Sequence, residues 1–278
     1  MNSNSKPIAV VKVGGDMLLK AADREGLAAN LKDLVNAGWQ CVVLHGGGPQ
    51  LNSLQALYGL KPNKIAGRRI TSQADIKVVK QALCGEVNVD LVAALIAQGL
   101  PAFGCHGASG QLIQAQKRPP IKLSGHGAEL VDFGEVGDIT GINTSLLHSL
   151  LEAGQIPVIA SLGINQDGRV FNINADTTVA AIALALKADL LILSTMVGGI
   201  FADIKDPSSR YAEVSPQLAR KLINDGIITD GMIPKVEEAL GLLSNGVAAI
   251  AICNASQKGG FVDIANHKGT VGTRLVGK

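Results

Sequence analysis

The chain has 278 residues, of which 47% are apolar but only 3% are aromatic, and 33 of its residues are glycine. This apolar content excludes a disordered chain, and the glycines lack the three-residue period of collagen. The 25 basic and 23 acidic residues leave a net charge of +2, which gives no sign of a nucleic-acid partner. Aliphatic segments divided by glycine turns are typical of an α/β enzyme.

Short β-branched runs alternate with helical patterns along the chain. The runs predict strands at Ile8–Val13, Cys41–His45, Ile156–Ala160, Leu190–Leu193 and Ala248–Cys253. The helical patterns lie at Ala21–Ala37, Pro49–Tyr58, Gln73–Leu83, Val87–Gln98, Thr144–Ala153, Ala175–Lys187, Pro216–Asn224 and Met232–Ser244. Because several strands are apolar throughout, as parallel strands covered on both faces are, the alternation predicts a doubly wound sheet. From Gln111 to Val136 the pattern weakens, which predicts hairpins outside that sheet.

The spacing of the cysteines and the first seven residues of the chain indicate where in the cell the protein is located. Cys41, Cys84, Cys105 and Cys253 are far apart and include no Cys-x-x-Cys pair, which favours reduced thiols over a disulfide framework or a zinc site. Residues 1–7 (MNSNSKP) lack the apolar core of a signal peptide. No apolar run reaches the roughly 18 residues that a membrane-spanning helix needs. We therefore expect a cytoplasmic protein with neither a membrane partner nor a protein-bound metal.

Two glycine clusters directly follow predicted strands: Gly14 and Gly15 after the first, and Gly46, Gly47 and Gly48 after the second. Backbone N–H groups of such glycines can bind a phosphate at the carboxyl edge of a parallel sheet. Simple tight turns are the alternative, and the repetition of the feature at two strands favours the phosphate. The sequence has neither a Walker motif nor a G-x-G-x-x-G that opens a helix after a strand. A phosphoryl-transfer enzyme built from backbone amides and lysines is the remaining interpretation.

Charged and amide side chains near the strand ends are candidates for contacting that phosphate. Lys12 lies inside an apolar strand, where a buried ammonium needs an anionic partner. Lys235 lies in the first turn of a predicted helix that follows a Thr-Asp-Gly turn. Asn172, Asn174 and Asp176 crowd one strand-to-helix junction. The alternatives are an edge lysine that reaches solvent, a solvated helix lysine and an ordinary helix N-cap.

Together these residues resemble the amino acid kinase superfamily and, within it, the N-acetylglutamate kinases. The shared motifs are Lys12–Gly15 (KVGG), His45–Pro49 (HGGGP), Gly67–Thr71 (GRRIT), Val136–Ile139 (VGDI), Asn172–Asp176 (NINAD), Ile227–Lys235 (IITDGMIPK) and Gly272–Arg274 (GTR). The resemblance implies a three-layer αβα sandwich around a mostly parallel sheet of about eight strands. It also implies an N-terminal lobe, residues 1–172, that binds the acceptor, and a C-terminal lobe, residues 173–278, that binds nucleotide, with one continuous sheet.

The resemblance further implies an enzyme that uses ATP with Mg²⁺ to phosphorylate the γ-carboxylate of N-acetyl-L-glutamate in arginine biosynthesis, commonly as a homodimer. Lys12 and Lys235 would neutralise the transferred phosphoryl group, and Asp176 would hold both lysines. The acceptor would contact Gly47, Gly48, Arg69, Asn172 and Asn174. The nucleotide and its phosphates would contact Lys12, Gly14, Gly15, Gly46, Gly47, Thr195, Gly198, Gly199 and Lys235.

One segment departs from the family's pattern. Where relatives usually read like LTDVPGVL, this chain has Leu193–Phe201 (LSTMVGGIF), without the aspartate and with one extra residue. Two alternative functions stay open. One is a kinase for a related carboxylate such as an aminoadipate derivative, and the other is a non-catalytic amino-acid-sensing module of the same fold. Retention of Lys12, Asp176 and Lys235 favours a kinase over the sensing module.

Overall fold

The computed structural model describes residues 6–122, 129–229 and 232–277, which contain sixteen strands and nine α-helices. The strands are β1 (Ile8–Val13), β2 (Gln40–His45), β3 (Asn63–Ile65), β4 (Arg68–Ile70), β5 (Ala102–His106), β6 (Ile113–Lys117), β7 (Ile121–Lys122), β8 (Leu130–Val131), β9 (Gly137–Ile142), β10 (Ile156–Ala160), β11 (Leu162–Ile164), β12 (Val170–Asn172), β13 (Leu190–Ser194), β14 (Glu213–Val214), β15 (Ile250–Cys253) and β16 (Thr273–Leu275). The helices are α1 (Ala21–Asn36), α2 (Gly48–Leu57), α3 (Gln73–Lys80), α4 (Asn88–Ala97), α5 (Thr144–Glu152), α6 (Ala175–Leu186), α7 (Pro216–Asn224), α8 (Met232–Ser244) and α9 (Gly260–Ala265).

Eight strands form one main sheet in the order β14-β16-β15-β13-β1-β2-β10-β5. All neighbouring strands are parallel except β15 and β16, which are antiparallel. The central strands are apolar throughout because both of their faces are covered. Successive residues of β1 alternate between two hydrophobic clusters, with Val10 in one and Val11 in the other, as the two-residue period of a strand requires.

Helices form the two outer layers of the fold. Buried side chains of α5, α6, α7 and α8 share the cluster of Val10, whereas those of α1, α4 and α9 share the cluster of Val11. The predicted three-layer α/β sandwich around a mostly parallel sheet of eight strands is therefore confirmed. No helix within the described ranges is long and apolar enough to cross a bilayer.

A second, smaller sheet lies outside the main one, in the order β12-β11-β6-β9. Two further hairpins are formed by β3 with β4 and by β7 with β8. The hairpins predicted between Gln111 and Val136 correspond to β6, which joins the small sheet, and to the β7–β8 pair. Residues 123–128 of that stretch lie outside the described residues.

Some elements differ from the sequence-based expectations. Strand β5 was not predicted, because it lies at the edge of the main sheet and its short run, AFGCH, includes the exposed residues Phe103 and Gly104. The helix predicted over Gln73–Leu83 ends earlier, at Lys80, and a π-helical segment, Gln81–Val87, joins α3 to α4. Segments of this type are rare and often lie at functional sites.

Candidate active site

An ion pair joins β1 to α6 at the carboxyl edge of the main sheet. Lys12 is near the end of β1, in the middle of the sheet, and its Nζ is 2.9 Å from Oδ1 of Asp176. Asn174 is the N-cap of α6, since its Oδ1 accepts hydrogen bonds from the backbone N–H groups of Asp176 and Thr177 at 2.8 and 3.1 Å. The buried ammonium thus has its anionic partner, and different residues form the N-cap and the ion pair.

Both glycine clusters lie beside this ion pair. A Cβ atom added at Gly14 would be 4.0 Å from Nζ of Lys12. A Cβ added at Gly46 would be 3.6 Å from Cβ of Ala175, the residue before Asp176. The carboxyl ends of β1 and β2 and the N-terminus of α6 therefore converge on one place, where backbone N–H groups and the helix dipole favour an anion.

Close packing explains why glycine occupies two of these positions. A Cβ at Gly15 would come within 2.9 Å of Cα of Gly47, so the two loops could not approach as they do. A Cβ at Gly47 would come within 2.5 Å of Cδ2 of Leu83, in the π-helical segment. Gly48, in contrast, has open space around it, with no atom within 4 Å of an added Cβ. The π-helical segment thus supports the second glycine loop from behind.

His45 precedes the second glycine cluster and holds it in place. Its Nδ1 is 2.8 Å from the carbonyl oxygen of Gly46, and its Nε2 is 2.9 Å from Nδ2 of Asn88. Because the Asn88 amide donates to Nε2, the ring proton is assigned to Nδ1, which donates to Gly46. Burial lowers the pKa of His45 to about 4, against a smaller opposing effect of the Gly46 carbonyl. The imidazole is therefore neutral at pH 7 and structural in role.

Lys235 and Asp176 line the same small cavity, together with Glu238, which follows Lys235 by one turn of α8. Among the described residues Lys235 forms no ion pair, so Asp176 pairs with Lys12 alone. Asp230 of the predicted Thr-Asp-Gly turn lies outside the described residues, as does the glycine that follows it. Two cationic side chains, on β1 and α8, thus flank one carboxylate.

Glu238 was missed by sequence reasoning, because it reads as an ordinary helix-surface residue. Desolvation at the cavity raises its carboxyl pKa, and the negative charge of Asp176 raises it further. Two carboxylates, those of Asp176 and Glu238, therefore line the cavity together with Lys235.

Arg69 is presented by the β3–β4 hairpin and rests on α2. The hairpin turns through Ala66 and Gly67, whose φ angles of +49° and +73° are both positive, as in the type I′ turn that suits two-residue hairpins. Nη1 of Arg69 donates to Oε1 of Gln55 at 2.6 Å, and Nη2 donates to Oδ1 of Asn52 at 2.5 Å. Both partners are neutral amides, and among the described residues the guanidinium has no ion-pair partner.

Asn172 is tied to the segment that follows Arg69. Its Nδ2 donates to Oγ1 of Thr71 at 3.1 Å, and its backbone N–H donates to the carbonyl of Glu135 at 2.8 Å. The buried Glu135 carboxylate accepts from Nε and Nη2 of Arg169 at 2.7 and 2.5 Å, and from Nε2 of Gln73 at 2.6 Å. The hydrogen bonds and charge of Arg169 lower the pKa of Glu135 against the opposing effect of burial. This network, which sequence reasoning missed, fixes the small sheet beside the Arg69 hairpin.

The segment that departs from the family's pattern is an ordered turn after β13. Oγ1 of Thr195 accepts a hydrogen bond from the N–H of Gly198 at 3.0 Å. Gly198 has a φ of +81°, and a Cβ added there would be 3.0 Å from Cβ of Asn254. A Cβ on Gly199 would be 3.1 Å from Oγ1 of Thr273. The turn is thus packed against the residue after β15 and the start of β16, at the carboxyl end of the strand next to β1.

Apart from the turn that holds Thr195, Gly198 and Gly199, the predicted residues form two groups linked by α2. Lys12, Asp176, Lys235 and the glycine loops make the first group, and Arg69 with Asn172 makes the second. Helix α2 begins at Gly48 in the glycine loop and carries Asn52 one turn later, about 6 Å along its axis.

This fold and this site define a phosphotransferase, and the similarity of the chain to known proteins supports that class. The model of the amino acid kinase family matches residues 7–254. The chain belongs to the amino acid kinase family.

Two relatives named acetylglutamate kinase are similar to nearly the whole chain. The acetylglutamate kinase of Anaeromyxobacter dehalogenans (strain 2CP-C) is 42% identical over 267 residues, which cover 96% of this chain and 98% of the relative. The acetylglutamate kinase of Sorangium cellulosum (strain So ce56) is also 42% identical over 267 residues, covering 96% and 94%.

Solved structures show the same fold. A protein of Streptococcus mutans UA159 has a TM-score of 0.74 and 30% identity over 97% of this chain and 98% of its own. N-acetylglutamate synthase from Neisseria gonorrhoeae, solved with coenzyme A and N-acetyl-glutamate, has a TM-score of 0.79 and 25% identity, covering 98% of this chain and 60% of the synthase.

Proposed function

We propose that this enzyme transfers the γ-phosphoryl group of ATP to the γ-carboxylate of N-acetyl-L-glutamate. The products are N-acetylglutamyl 5-phosphate and ADP, and the reaction is a step of arginine biosynthesis. The observation that carries the proposal is the similarity to acetylglutamate kinases, at 40 and 42% identity over 96% of the chain. The ion pair and glycine loops at the carboxyl edge of the sheet supply what phosphoryl transfer needs, which is positioning and positive charge.

The chemistry of the acceptor agrees with the side chains present. A γ-carboxyl group has a free pKa of about 4.3, so it is already ionised at pH 7 and needs no general base. The neutral, buried His45 is consistent with this requirement. The barrier to be overcome is repulsion between an anionic carboxylate and an anionic phosphate, and preorganised cations and N–H donors lower it.

In this proposal Lys12 and Lys235 neutralise the transferred phosphoryl group, and Asp176 holds Lys12 at the strand end. A carboxylate oxygen forms a bond to the γ-phosphorus while the bond from that phosphorus to the bridging oxygen breaks, and ADP leaves with the electron pair. The backbone N–H groups that contact phosphate oxygens belong to Gly14, Gly15, Gly46 and Gly47.

In the proposed reaction Mg²⁺ binds together with ATP. Among the described residues, no group of three or more His, Cys, Asp or Glu side chains could hold a metal ion. These residues fit a Mg²⁺ held mainly by nucleotide phosphates, as is usual where it binds with few carboxylates. Bound there, the ion would neutralise charge on the phosphate oxygens.

Each lobe takes one substrate in the proposal. Residues 1–172 bind the acceptor, with Arg69 on its α-carboxylate, Asn172 on the acetylamino portion, and Gly47 and Gly48 beside the γ-carboxylate. Asn174, two residues past the end of this lobe, also contacts the acetylamino portion. Helix α2 supports this arrangement, because it begins in the second glycine loop and carries the Asn52 amide that contacts Arg69. Residues 173–278 bind nucleotide, with Thr195, Gly198 and Gly199 on the adenosine side. These three residues lie at the carboxyl end of β13, next to β1, and this position supports their assignment to the nucleotide.

We also propose a homodimer, formed across the open edge of the main sheet. Strand β5 is the last strand of that sheet, and an open edge offers unpaired backbone groups to a second copy. Val89 and Ile96, seven residues apart on α4, and Phe103 on β5 are 60%, 56% and 44% exposed. Light scattering should give twice the mass of one chain, and Ile96→Glu should give the mass of one.

The cysteines support a cytoplasmic location, which is also part of the proposal. All four are free, and Cys41, Cys105 and Cys253 are buried. Burial raises the pKa of each of these three thiols to about 12, so they are uncharged and unreactive at pH 7. Reduced thiols of this kind are typical of the cytoplasm.

One assay distinguishes this function from its alternatives. ADP release is measured in a coupled assay with N-acetyl-L-glutamate and with the corresponding aminoadipate derivative. We expect turnover of acetylglutamate, and slower turnover or none of the aminoadipate derivative. Turnover of the longer acceptor alone would support the aminoadipate kinase. Calorimetry that detected amino-acid binding but no ATP binding would support the non-catalytic sensing module.

A further inference from the structure

The contacts of Arg69 have a feature that catalysis by the two lysines does not explain. Two of its guanidinium N–H groups are occupied by side-chain amides of one helix, Asn52 and Gln55, at 2.5 and 2.6 Å. These residues are three apart on α2 and therefore lie on the same face. A guanidinium has five N–H donors, and the described part of the chain accepts from two of those of Arg69, which leaves three for a ligand.

The charge of the Asp75 carboxylate acts on this guanidinium, but the two groups form no ion pair. Oδ1 of Asp75 accepts from Nε2 of Gln55 at 2.6 Å, while Oδ2 accepts from the N–H and hydroxyl of Ser72 at 2.9 and 2.6 Å. Burial raises the pKa of Asp75, but the hydrogen bonds of Ser72 and Gln55 and the charge of Arg69 outweigh it, so the net shift is downward. Among the described residues Arg69 has no ion pair. The Gln55 amide, which is fully buried, thus separates the two charges.

We propose that Asn52 and Gln55 are positioning residues that present Arg69 to the acceptor as an unneutralised cation. The consequence is selectivity for acceptors with a second carboxylate, which this cation would bind. The inference rests on the proposed function, because it takes the α-carboxylate of the acceptor as the partner of Arg69. A direct ion pair from α2 would neutralise the guanidinium and set a negative charge where the substrate's carboxylate must bind.

The test is Asn52→Asp, which keeps the side chain's size and sets a carboxylate against Nη2 of Arg69. Asn52 is half-buried, so the change is milder for folding than one at Gln55. The matched control is Ser53→Asp, which adds the same charge at an exposed position of the same helix. The acceptors are N-acetyl-L-glutamate and 4-acetamidobutyrate, which is the same molecule without its α-carboxylate.

For Asn52→Asp we expect the KM for acetylglutamate to rise about 10- to 100-fold, the loss typical of one charge-assisted contact, with kcat changed less than threefold. The preference for acetylglutamate over 4-acetamidobutyrate, as a ratio of kcat/KM, should fall at least about tenfold. Ser53→Asp should leave both quantities at their wild-type values. A wild-type preference in Asn52→Asp, or an equal rise of KM in Ser53→Asp, would overturn the inference.

A second variant covers the case in which Asn52→Asp does not fold. Asn52→Ala removes one hydrogen bond to Arg69 without adding charge, and we expect it to raise the KM for acetylglutamate about three- to tenfold and to weaken the same preference. An unchanged preference in Asn52→Ala would contradict the inference. Failure of the proposed function looks different, because the wild-type enzyme itself would then not turn over acetylglutamate.

Discussion

The Lys12 ammonium lies 2.9 Å from the Asp176 carboxylate, and this ion pair connects β1 of the main sheet to α6, the helix that follows the small sheet. The Lys12 side chain is 10% exposed and that of Asp176 is 32% exposed. The pair is therefore buried at Lys12 and partly open at Asp176, and both glycine loops lie close to it. An anion that enters from the open side meets a cation already held in place.

Removal of that cation should affect catalysis strongly. For Lys12→Met we expect kcat to fall about 10²- to 10³-fold, as after loss of one preorganised donor in a site that stabilises developing charge. Steady-state kinetics with ATP and acetylglutamate checks this. The control is Lys32→Met, which removes the same charge from the exposed face of α1 and should keep wild-type kcat. A Lys12→Met enzyme with more than a tenth of wild-type kcat would contradict the assigned role.

The two glycines of the second loop should respond differently to an added methyl group. Gly47→Ala would bring Cβ within 2.5 Å of Leu83 and 3.2 Å of Val87, and overpacking of this kind costs about 1–3 kcal/mol. Gly48→Ala meets no atom within 4 Å and should not lower stability. Urea denaturation of both variants measures the difference in free energy of unfolding, and equal values for the two would show that the loop is not packed as described.

Burial of His45 should make the protein sensitive to mild acid. The pKa of His45 is lowered to about 4 in the folded state, against about 6.5 in the unfolded chain. Between these values the unfolded state binds one more proton, so stability falls as pH falls, by about 3 kcal/mol in total. His45→Gln removes the titrating imidazole. The free energy of unfolding of this variant should therefore change less between pH 6.5 and 4.5 than that of the wild type. Parallel curves for the two proteins would contradict a buried neutral imidazole.

Glu238 should be unfavourable for stability at neutral pH. Its pKa in the folded state is raised by desolvation and by the charge of Asp176. The folded protein therefore holds this proton more tightly than the unfolded chain. The free energy of unfolding is highest below the unfolded-state pKa and falls as pH rises through the folded-state pKa. Glu238→Gln should therefore raise Tm at pH 7.5 but not at pH 4. Glu237→Gln, at an exposed neighbouring position of α8, changes net charge equally and should not reproduce the gain. A Tm at pH 7.5 no higher than that of the wild type would contradict this account.

Much of the fold could be predicted from sequence, because its central elements are defined locally. Strand β1 and helix α7 have the predicted bounds, Ile8–Val13 and Pro216–Asn224. An apolar run marks the strand, while Ser215 as N-cap and Pro216 at the first turn mark the helix. Edge strands such as β5 and β14 were missed, since a strand with one neighbour needs no continuous apolar pattern.

The site was predictable only where chemistry lies in short motifs. Lys12, Asp176 and the glycines stand at strand ends, and parallel topology brings such ends together. The supports of Arg69 were missed, because its contact with Asn52 and Gln55 depends on a hairpin folding back over α2. Among the contacts around Arg69, only the Ser72–Asp75 capping box has a spacing that can be recognised in the sequence.

The most direct test of the central claim is to trap the acyl phosphate that the proposed reaction forms. The wild-type enzyme is incubated with ATP, Mg²⁺, hydroxylamine and N-acetyl-L-glutamate, and the hydroxamate is measured beside ADP. We predict one hydroxamate per ADP, and a kcat/KM at least about tenfold above that for the acceptor one methylene longer. ADP release without hydroxamate, or a higher kcat/KM with the longer acceptor, would contradict the claim.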